Sequence, residues 1–280
     1  MAMPNGLQDV YVLNNDVRMP VVGLGVWKAG SGPETRQAVR WALEIGYRSI
    51  DTAFIYQNEA DVGAAISEGP IPRDRVFVAT KLWHSDQGYD GTLRAFQAAL
   101  GRMGLSYLDL YLIHHPLPPK MKDTWRAMES LYQNGLARAI GVSNFLPHHI
   151  DELLADAKIK PAVNQIERHP YLQQRDAMRH NGRHGILTEA WAPLAKGSAL
   201  SEPCIAGMAE RRKKTPAQIV LRWGLQSGAA LIPKSVRRER LEENAGIFDF
   251  SLTDAEMAAI DALEANRRFG GHPDDTSWMK

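Results

Sequence analysis

Short apolar runs alternate with longer amphipathic stretches along this chain, and the alternation predicts the architecture. Runs at 20–27, 48–51, 76–81, 108–114, 137–145, 161–170, 186–191 and 229–235 have the length and bounding turn residues of buried strands. Between them the apolar spacing turns helical. Leu93, Phe96, Leu100 and Met103 recur at three, four and three residues, and Trp125, Met128 and Tyr132 share one side of the next helix. Ser31-Gly-Pro-Glu34 reads as a capping box that starts a helix running to Gly46, and Thr215-Pro216 as an N-cap and first helical position. Eight such β/α units, with no linker and no internal repeat, predict a (β/α)8 barrel in which residues 1–280 form one domain. VYVLNNDVRM, with Asn14-Asn15-Asp16 at its centre, predicts a hairpin ahead of the barrel. Thr253 to Glu256 caps one further helix before an irregular tail, Asn266 to Lys280. APLAKGSALSEP, after Trp191, is long enough to fold over a ligand.

Composition narrows the partners. The 44% apolar content supports a large core, and 33 basic against 32 acidic residues, net +1, argues against a dedicated nucleic-acid surface. Cys204 is the single cysteine, so no intramolecular disulfide is possible and a reducing, cytoplasmic setting is expected. MAMPNGLQDV does not resemble a signal peptide, and no apolar run approaches the roughly 18 residues of a membrane span.

The chemistry sits at the strand ends. Asp51 closes the second barrel strand, Lys81 the third and His114 the fourth, with Tyr56 a few residues past Asp51. In a barrel the strand C-termini converge on one face, so residues this far apart in sequence can share a pocket. A phenol, an ammonium, a carboxylate and an imidazole are what carbonyl reduction needs: a proton donor, a cation to lower its pKa, an anion to hold the cation, and a group to orient the oxygen. That set requires no metal. Gly23-x-Gly25 suggests a dinucleotide fingerprint, but the third glycine would fall at Lys28, so it is not a Rossmann phosphate loop.

From MPVVGLGVW through YRSIDTAFIYQNE, ATKLW, LDLYLIHHP, IGVSNF, PAVNQIERHP and EAWAPLAKG to IPKSVRRERLEEN, the chain resembles an aldo-keto reductase over nearly its full length. Within that family it looks most like the bacterial 2,5-diketo-D-gluconic acid reductases, especially over KTPAQIVLRW, KSVRRERLEENAGIFDFSLTDAE and the tail His272-Pro273-Asp274. The resemblance implies a catalytic tetrad of Asp51, Tyr56, Lys81 and His114, with Tyr56 the general acid. It also implies NADPH as cofactor. Ser143, Asn144 and Gln165 match the positions that hold the carboxamide, and Trp191 the aromatic that stacks on the nicotinamide. Lys234, Ser235 and Arg240 match the 2′-phosphate pocket, followed by Val236 in the same segment and by Glu243 and Asn244 near the adenine. Arg237 and Arg238 read instead as a solvated helix face.

Two positions depart from the pattern. The family usually has tryptophan after the catalytic histidine, where this chain has His115, and Lys196 stands where close relatives often carry a neutral residue. With Trp27 at the rim, His115 and Lys196 are the expected substrate wall. The implied activity is NADPH-dependent reduction of aldehydes and ketones, extending to diketo sugar acids such as 2,5-diketo-D-gluconate, by a monomer. Detoxification of methylglyoxal and reactive aldehydes, or a non-catalytic NADPH-binding barrel, are the alternatives, and the intact tetrad speaks against the last.

Overall fold

Parallel strands follow one another around a closed ring in the computed structural model, which describes residues 3–277. An antiparallel hairpin, β1 (Val10–Val12) and β2 (Arg18–Pro20), comes first. Its turn places Asp16 at φ 65°, where a short polar side chain is tolerated. The barrel then opens with β3 (Leu24–Gly25), α1 (Pro33–Ile45), β4 (Ser49–Asp51), α2 (Glu59–Ser67) and β5 (Phe77–Leu82). It continues through α3 (Tyr89–Met103), β6 (Leu108–Ile113), α4 (Pro118–Gln133), β7 (Ala137–Ser143) and α5 (Pro147–Leu154). β8 (Val163–Glu167), α6 (Arg175–Arg183) and β9 (Leu187–Trp191) follow, then α7 (Pro203–Arg212), α8 (Pro216–Gln226), β10 (Ala230–Ile232), α9 (Arg238–Ala245) and α10 (Asp254–Asp261).

Strands β3 to β10 are hydrogen-bonded in sequence order. Parallel bridges from Val22 to Leu231 and from Gly25 to Lys234 join the last strand to the first, and Gly23 N donates to Leu231 O at 2.8 Å. This is the expected (β/α)8 barrel with its hairpin and its extra C-terminal helix. Every residue of β5 and of β6 is buried, as strands covered on both faces must be. The largest side chains of the outer layer are anchored by their polar ends. Trp125 Nε1 donates to Ile159 O at 3.0 Å, Trp223 Nε1 to Asp261 Oδ1 at 2.9 Å, and the Tyr47 hydroxyl to Leu241 O at 2.9 Å.

The N-cap at Thr215 and the capping box at Thr253 form as the sequence predicts, and Gln218 completes a box at Thr215 as well. The box expected at Ser31 does not form. Gly32, at φ 85°, occupies the N-cap of α1, no side chain caps it, and the Glu34 carboxylate accepts from Gly30 N instead. Pro33 still supplies the first helical position. The segment after Trp191 is more ordered than a loop: a 3-10 turn spans Ala195–Ser201 and α7 follows directly. Of the tail, residues 278–280 lie outside the described residues. No helix among the described residues is long and apolar enough to cross a membrane.

Gly63 and Gly141 set how closely the layers approach. A Cβ on Gly63 would lie 2.0 Å from the backbone oxygen of Met103, and one on Gly141 2.5 Å from that of Val163. Backbone cannot yield as a flexible side chain can, so Gly63→Ala should push α2 off the end of α3. The expected loss of unfolding free energy is about 2–4 kcal/mol. Urea unfolding of the variant reads it, and a loss below about 0.5 kcal/mol would show that the helices can shift apart freely.

Candidate active site

The floor of the barrel mouth is a buried ion pair. Lys81, near the end of β5, places Nζ 2.6 Å from Asp51 Oδ1 at the end of β4 and donates to Thr52 O at 2.9 Å. Their side chains are 0% and 2% exposed, so water screens nothing and removing either partner would leave a buried charge, a loss of about 3–5 kcal/mol. Burial, the largest influence on Lys81, pulls its pKa down. Asp51 and then Tyr56 overcome it and hold the ammonium above its ordinary value.

Tyr56 hangs over this pair. It ends a 3-10 turn, Phe54–Tyr56, and Lys81 Nζ lies 5.1 Å from the centre of its ring. The turn is held from beneath by Asn58, fully buried, which accepts from Thr52 Oγ1 at 2.7 Å and donates to Val26 O at 3.0 Å. Burial raises the Tyr56 pKa above its ordinary value, opposed by the Lys81 charge and hydrogen bond and supported by Asp51 and Glu189. The phenol therefore stays protonated through neutral pH.

His114 faces it edge-on, ring centres 5.9 Å apart at 80°. Burial first, then the charges of Lys81, His115 and His84, holds its pKa well below the ordinary value. It is a neutral imidazole, and its Nδ1 is buried without a hydrogen-bond partner. His115 stacks on it at 5.0 Å, and Trp83 packs edge-on against both at 5.2 and 6.0 Å. His115 is likewise neutral, driven down to about 4 by burial, then by His84 and Lys81.

The four tetrad residues thus meet, and the neighbouring strands join them. Gln165 Nε2 donates to Asp51 Oδ2 at 2.9 Å and to Glu189 Oε2 at 2.8 Å. Asn144, at φ 62°, turns its amide back to donate to His114 O at 2.9 Å and to Ser143 Oγ at 3.1 Å, while Ser143 Oγ donates to Gln165 O. Trp191 Nε1 donates to Asn144 Oδ1 at 2.9 Å, which fixes the indole at the rim. At the exit of β10, Ser235 is buried and its Oγ accepts from Arg237 N. Val236 packs on the core, and Asn244 is buried beneath half-buried Glu243 on α9. Arg238 pairs with Glu44 and Glu242, and Arg237 lies 3.9 Å from Glu239, which makes them the solvated face the sequence predicts. Lys234 and Arg240 are exposed and enter no ion pair among the described residues, which leaves two cations beside a helix start for an anion to occupy.

Lys196 is placed differently from an open pocket cation. Its backbone is left-handed, φ 53°, and Nζ donates to Phe269 O at 2.7 Å while lying 5.2 Å from the ring of Trp27. It fastens the C-terminal tail across the rim. Glu167, at the end of β8, completes the fastening by accepting from Phe269 N at 2.6 Å, Gly270 N at 3.0 Å and His169 Nε2 at 3.0 Å. A Cβ on Gly270 would strike the Trp191 ring at 2.5 Å, so only glycine lets the tail lie against that indole.

Sequence reading missed Glu189, Trp83 and Asn58. Glu189 lies within one strand run and Trp83 at the edge of another, and both runs look wholly structural. A carboxylate inside the strand ILTEAW was the one available signal for Glu189, since a buried carboxyl there needs a partner. Two groups of metal-ligand type, His148–His149–Asp274 and Asp151–His180–His184, lie on outer elements and include no tetrad residue. In the first, His149 Nδ1 accepts from Leu146 N, so the neutral ring keeps its proton on the nitrogen facing Asp274.

A closed barrel with this constellation at its strand ends defines a class of oxidoreductase, and the sequence comparisons agree: the Aldo/keto reductase family matches residues 21–265, and the chain belongs to it. Glyoxal reductase of Bacillus subtilis (strain 168) is 50% identical over 273 residues, 98% of this chain and 99% of that protein. The 9,11-endoperoxide prostaglandin H2 reductase of Trypanosoma cruzi (strain CL Brener) is 50% identical over 266 residues, 94% of each chain. Among solved structures, the Bombyx mori aldo-keto reductase in complex with NADP superposes with a TM-score of 0.88 at 35% identity, covering 100% of this chain and 97% of that one. The two reductases named here differ in substrate, glyoxal for one and an endoperoxide for the other, so membership fixes an NADPH-dependent reductase and leaves its substrate open. The narrower likeness to 2,5-diketo-D-gluconic acid reductases is not repeated in these names.

Proposed function

We propose that this protein reduces small, uncharged polar aldehydes and ketones, α-dicarbonyls such as glyoxal among them, with NADPH as cofactor and Tyr56 as proton donor. The observation that carries the reading is the buried Asp51–Lys81 pair beneath Tyr56, beside the neutral imidazole of His114. The residues present fit the cofactor. Lys234 and Arg240 await an anion at the start of α9, and Trp191 is held at the rim by Asn144. Ser143, Asn144 and Gln165 would hold the carboxamide, Trp191 the ring, and Lys234, Ser235 and Arg240 the 2′-phosphate, with Val236, Glu243 and Asn244 toward the adenosine. NADPH, when bound, supplies the hydride.

The remaining work falls to the chain. His114, neutral, can donate one hydrogen bond to the substrate carbonyl oxygen and hold it toward Tyr56. Tyr56 passes its proton to that oxygen. A phenol of pKa about 10 is a sluggish donor, and Lys81 assists by favouring the phenolate that donation leaves. Asp51 keeps Lys81 charged and in place.

The substrate reading turns on the two departures. His115 is neutral at physiological pH, and the Lys196 ammonium is taken by Phe269 O and Trp27. The wall offers hydrogen bonds from a neutral imidazole, and its ammonium is held toward Phe269 O and the Trp27 ring, which favours a small neutral dicarbonyl over an anionic sugar acid. NADPH oxidation assayed across glyoxal, methylglyoxal, 2,5-diketo-D-gluconate and aromatic aldehydes tests this directly, and a preference for the sugar acid would overturn it.

Three variants separate the parts. Tyr56→Phe should keep the fold and NADPH affinity and lose about 10²- to 10⁴-fold in kcat, since only the transferable proton is removed; turnover near that of the wild type would remove Tyr56 as donor. NADPH should bind far more tightly than NADH, because Lys234 and Arg240 can each make a charge-assisted contact of about 1.5–3 kcal/mol before desolvation losses. Arg240→Ala should narrow the gap, and equal wild-type Kd values would cancel the phosphate assignment. His115→Trp should raise kcat/KM for aromatic aldehydes relative to glyoxal; an unchanged ratio would put the pocket wall elsewhere.

A further inference from the structure

The charges at the floor of the mouth do not balance. Lys81 brings one ammonium, and Asp51 already holds it at 2.6 Å. Glu189, from the middle of β9, is a second carboxyl, 2% exposed, and no cation pairs with it among the described residues. Its contact is with Gln165. One hydrogen of Gln165 Nε2 goes to Asp51 Oδ2 at 2.9 Å and the other to Glu189 Oε2 at 2.8 Å, so a single amide nitrogen bridges the two carboxyls. That bridge fixes which way the Gln165 amide points and leaves its Oε1 as the acceptor.

A second buried anion would need a cation of its own, and holding a proton costs less. The charged and titratable groups facing Glu189 are Asp51 on β4, Lys81 on β5 and Tyr56 above them. Gln165 on β8 is neutral, and β10 sets Ala230 in register with Glu189.

We infer that Glu189 is a positioning residue for proton transfer from Tyr56: it works in its protonated form, and its ionisation slows carbonyl reduction by adding a second negative charge to the Asp51–Lys81 cluster. The inference rests on the reading of Tyr56 as proton donor. Burial, then the charge of Asp51, raises the Glu189 pKa to about 8, against the Gln165 hydrogen bond and Lys81. Below that value the cluster of Asp51, Lys81 and Glu189 is neutral, and above it the cluster carries one negative charge. A negative Glu189 raises the pKa of Tyr56. A phenol that is harder to ionise is a poorer donor, so reduction slows as pH rises through that value.

The test compares kcat for NADPH-driven reduction of glyoxal in wild type and Glu189→Gln from about pH 6.5 to about pH 9.5, a range chosen to span the Glu189 transition. The readout is the ratio of rates across that range within each protein. Wild type should lose rate several-fold as the donor weakens, with a midpoint near 8. The variant, whose amide accepts the same Gln165 hydrogen bond but cannot ionise, should show a nearly flat profile. Parallel profiles would overturn the role of Glu189 while leaving the reductase reading intact. Infrared difference spectra of the wild type alone, between about pH 7 and about pH 9 on either side of the transition, read the carboxylic C=O stretch without a variant; no such band titrating would also overturn it. Absence of wild-type turnover with every carbonyl would instead overturn the proposed function, and the infrared titration would then decide the protonation of Glu189 by itself.

Discussion

A lysine and an aspartate held 2.6 Å apart with almost no exposure are the constraint on which the rest of this mouth depends. Neither charge is tolerable alone at that depth, so β4 and β5 must keep the register, Asp51 opposite Ala79, that lets the two side chains meet. The surrounding polar groups extend the pair. Thr52 O takes a second hydrogen bond from Lys81, Gln165 takes up the far oxygen of Asp51, and Glu189 is tied in through Gln165. Tyr56 and His114 then sit on a floor whose charge is already arranged. Preorganised charge of this kind does not have to reorient when the reaction begins.

The rim is built by a different logic. Glu167 gathers two tail amides and His169, Lys196 reaches across to Phe269 O, and Gly270 lies against Trp191. The same indole is fixed on its other side by Asn144, whose amide also holds the His114 backbone. Tail, indole and His114 are therefore joined by one set of contacts.

Much of this was legible in the sequence. Eight apolar runs with helix-period stretches between them gave the barrel, because strands buried on both faces leave a pattern that needs no tertiary knowledge. Asp51, Lys81 and His114 were legible because each interrupts or ends such a run. Lys234 and Arg240 could be told apart from Arg237 and Arg238 only through the family resemblance, and the ion pairs of Arg238 with Glu44 and Glu242 supply the physical difference. Other features depended on partners far along the chain. Glu189 meets Gln165 across 24 positions, and Lys196 meets Phe269 across 73, so neither contact has a local signature. The capping box at Ser31 failed for a local reason: Glu34 found Gly30 N, and Gly32 took the cap with a backbone angle that serine would resist.

The account stands on Lys81 acting through charge on the proton step rather than on cofactor binding. Single-turnover measurement of NADPH oxidation in Lys81→Met, alongside its NADPH Kd, separates the two. Lys81 lies beneath Tyr56, whereas Lys234 follows β10 and Arg240 sits in the first turn of α9. The Kd should therefore stay within about threefold of wild type while the chemical step slows by about 10²- to 10⁴-fold. A chemical step within about threefold of the wild-type rate, with NADPH affinity lost instead, would contradict the central role given to the Asp51–Lys81 pair.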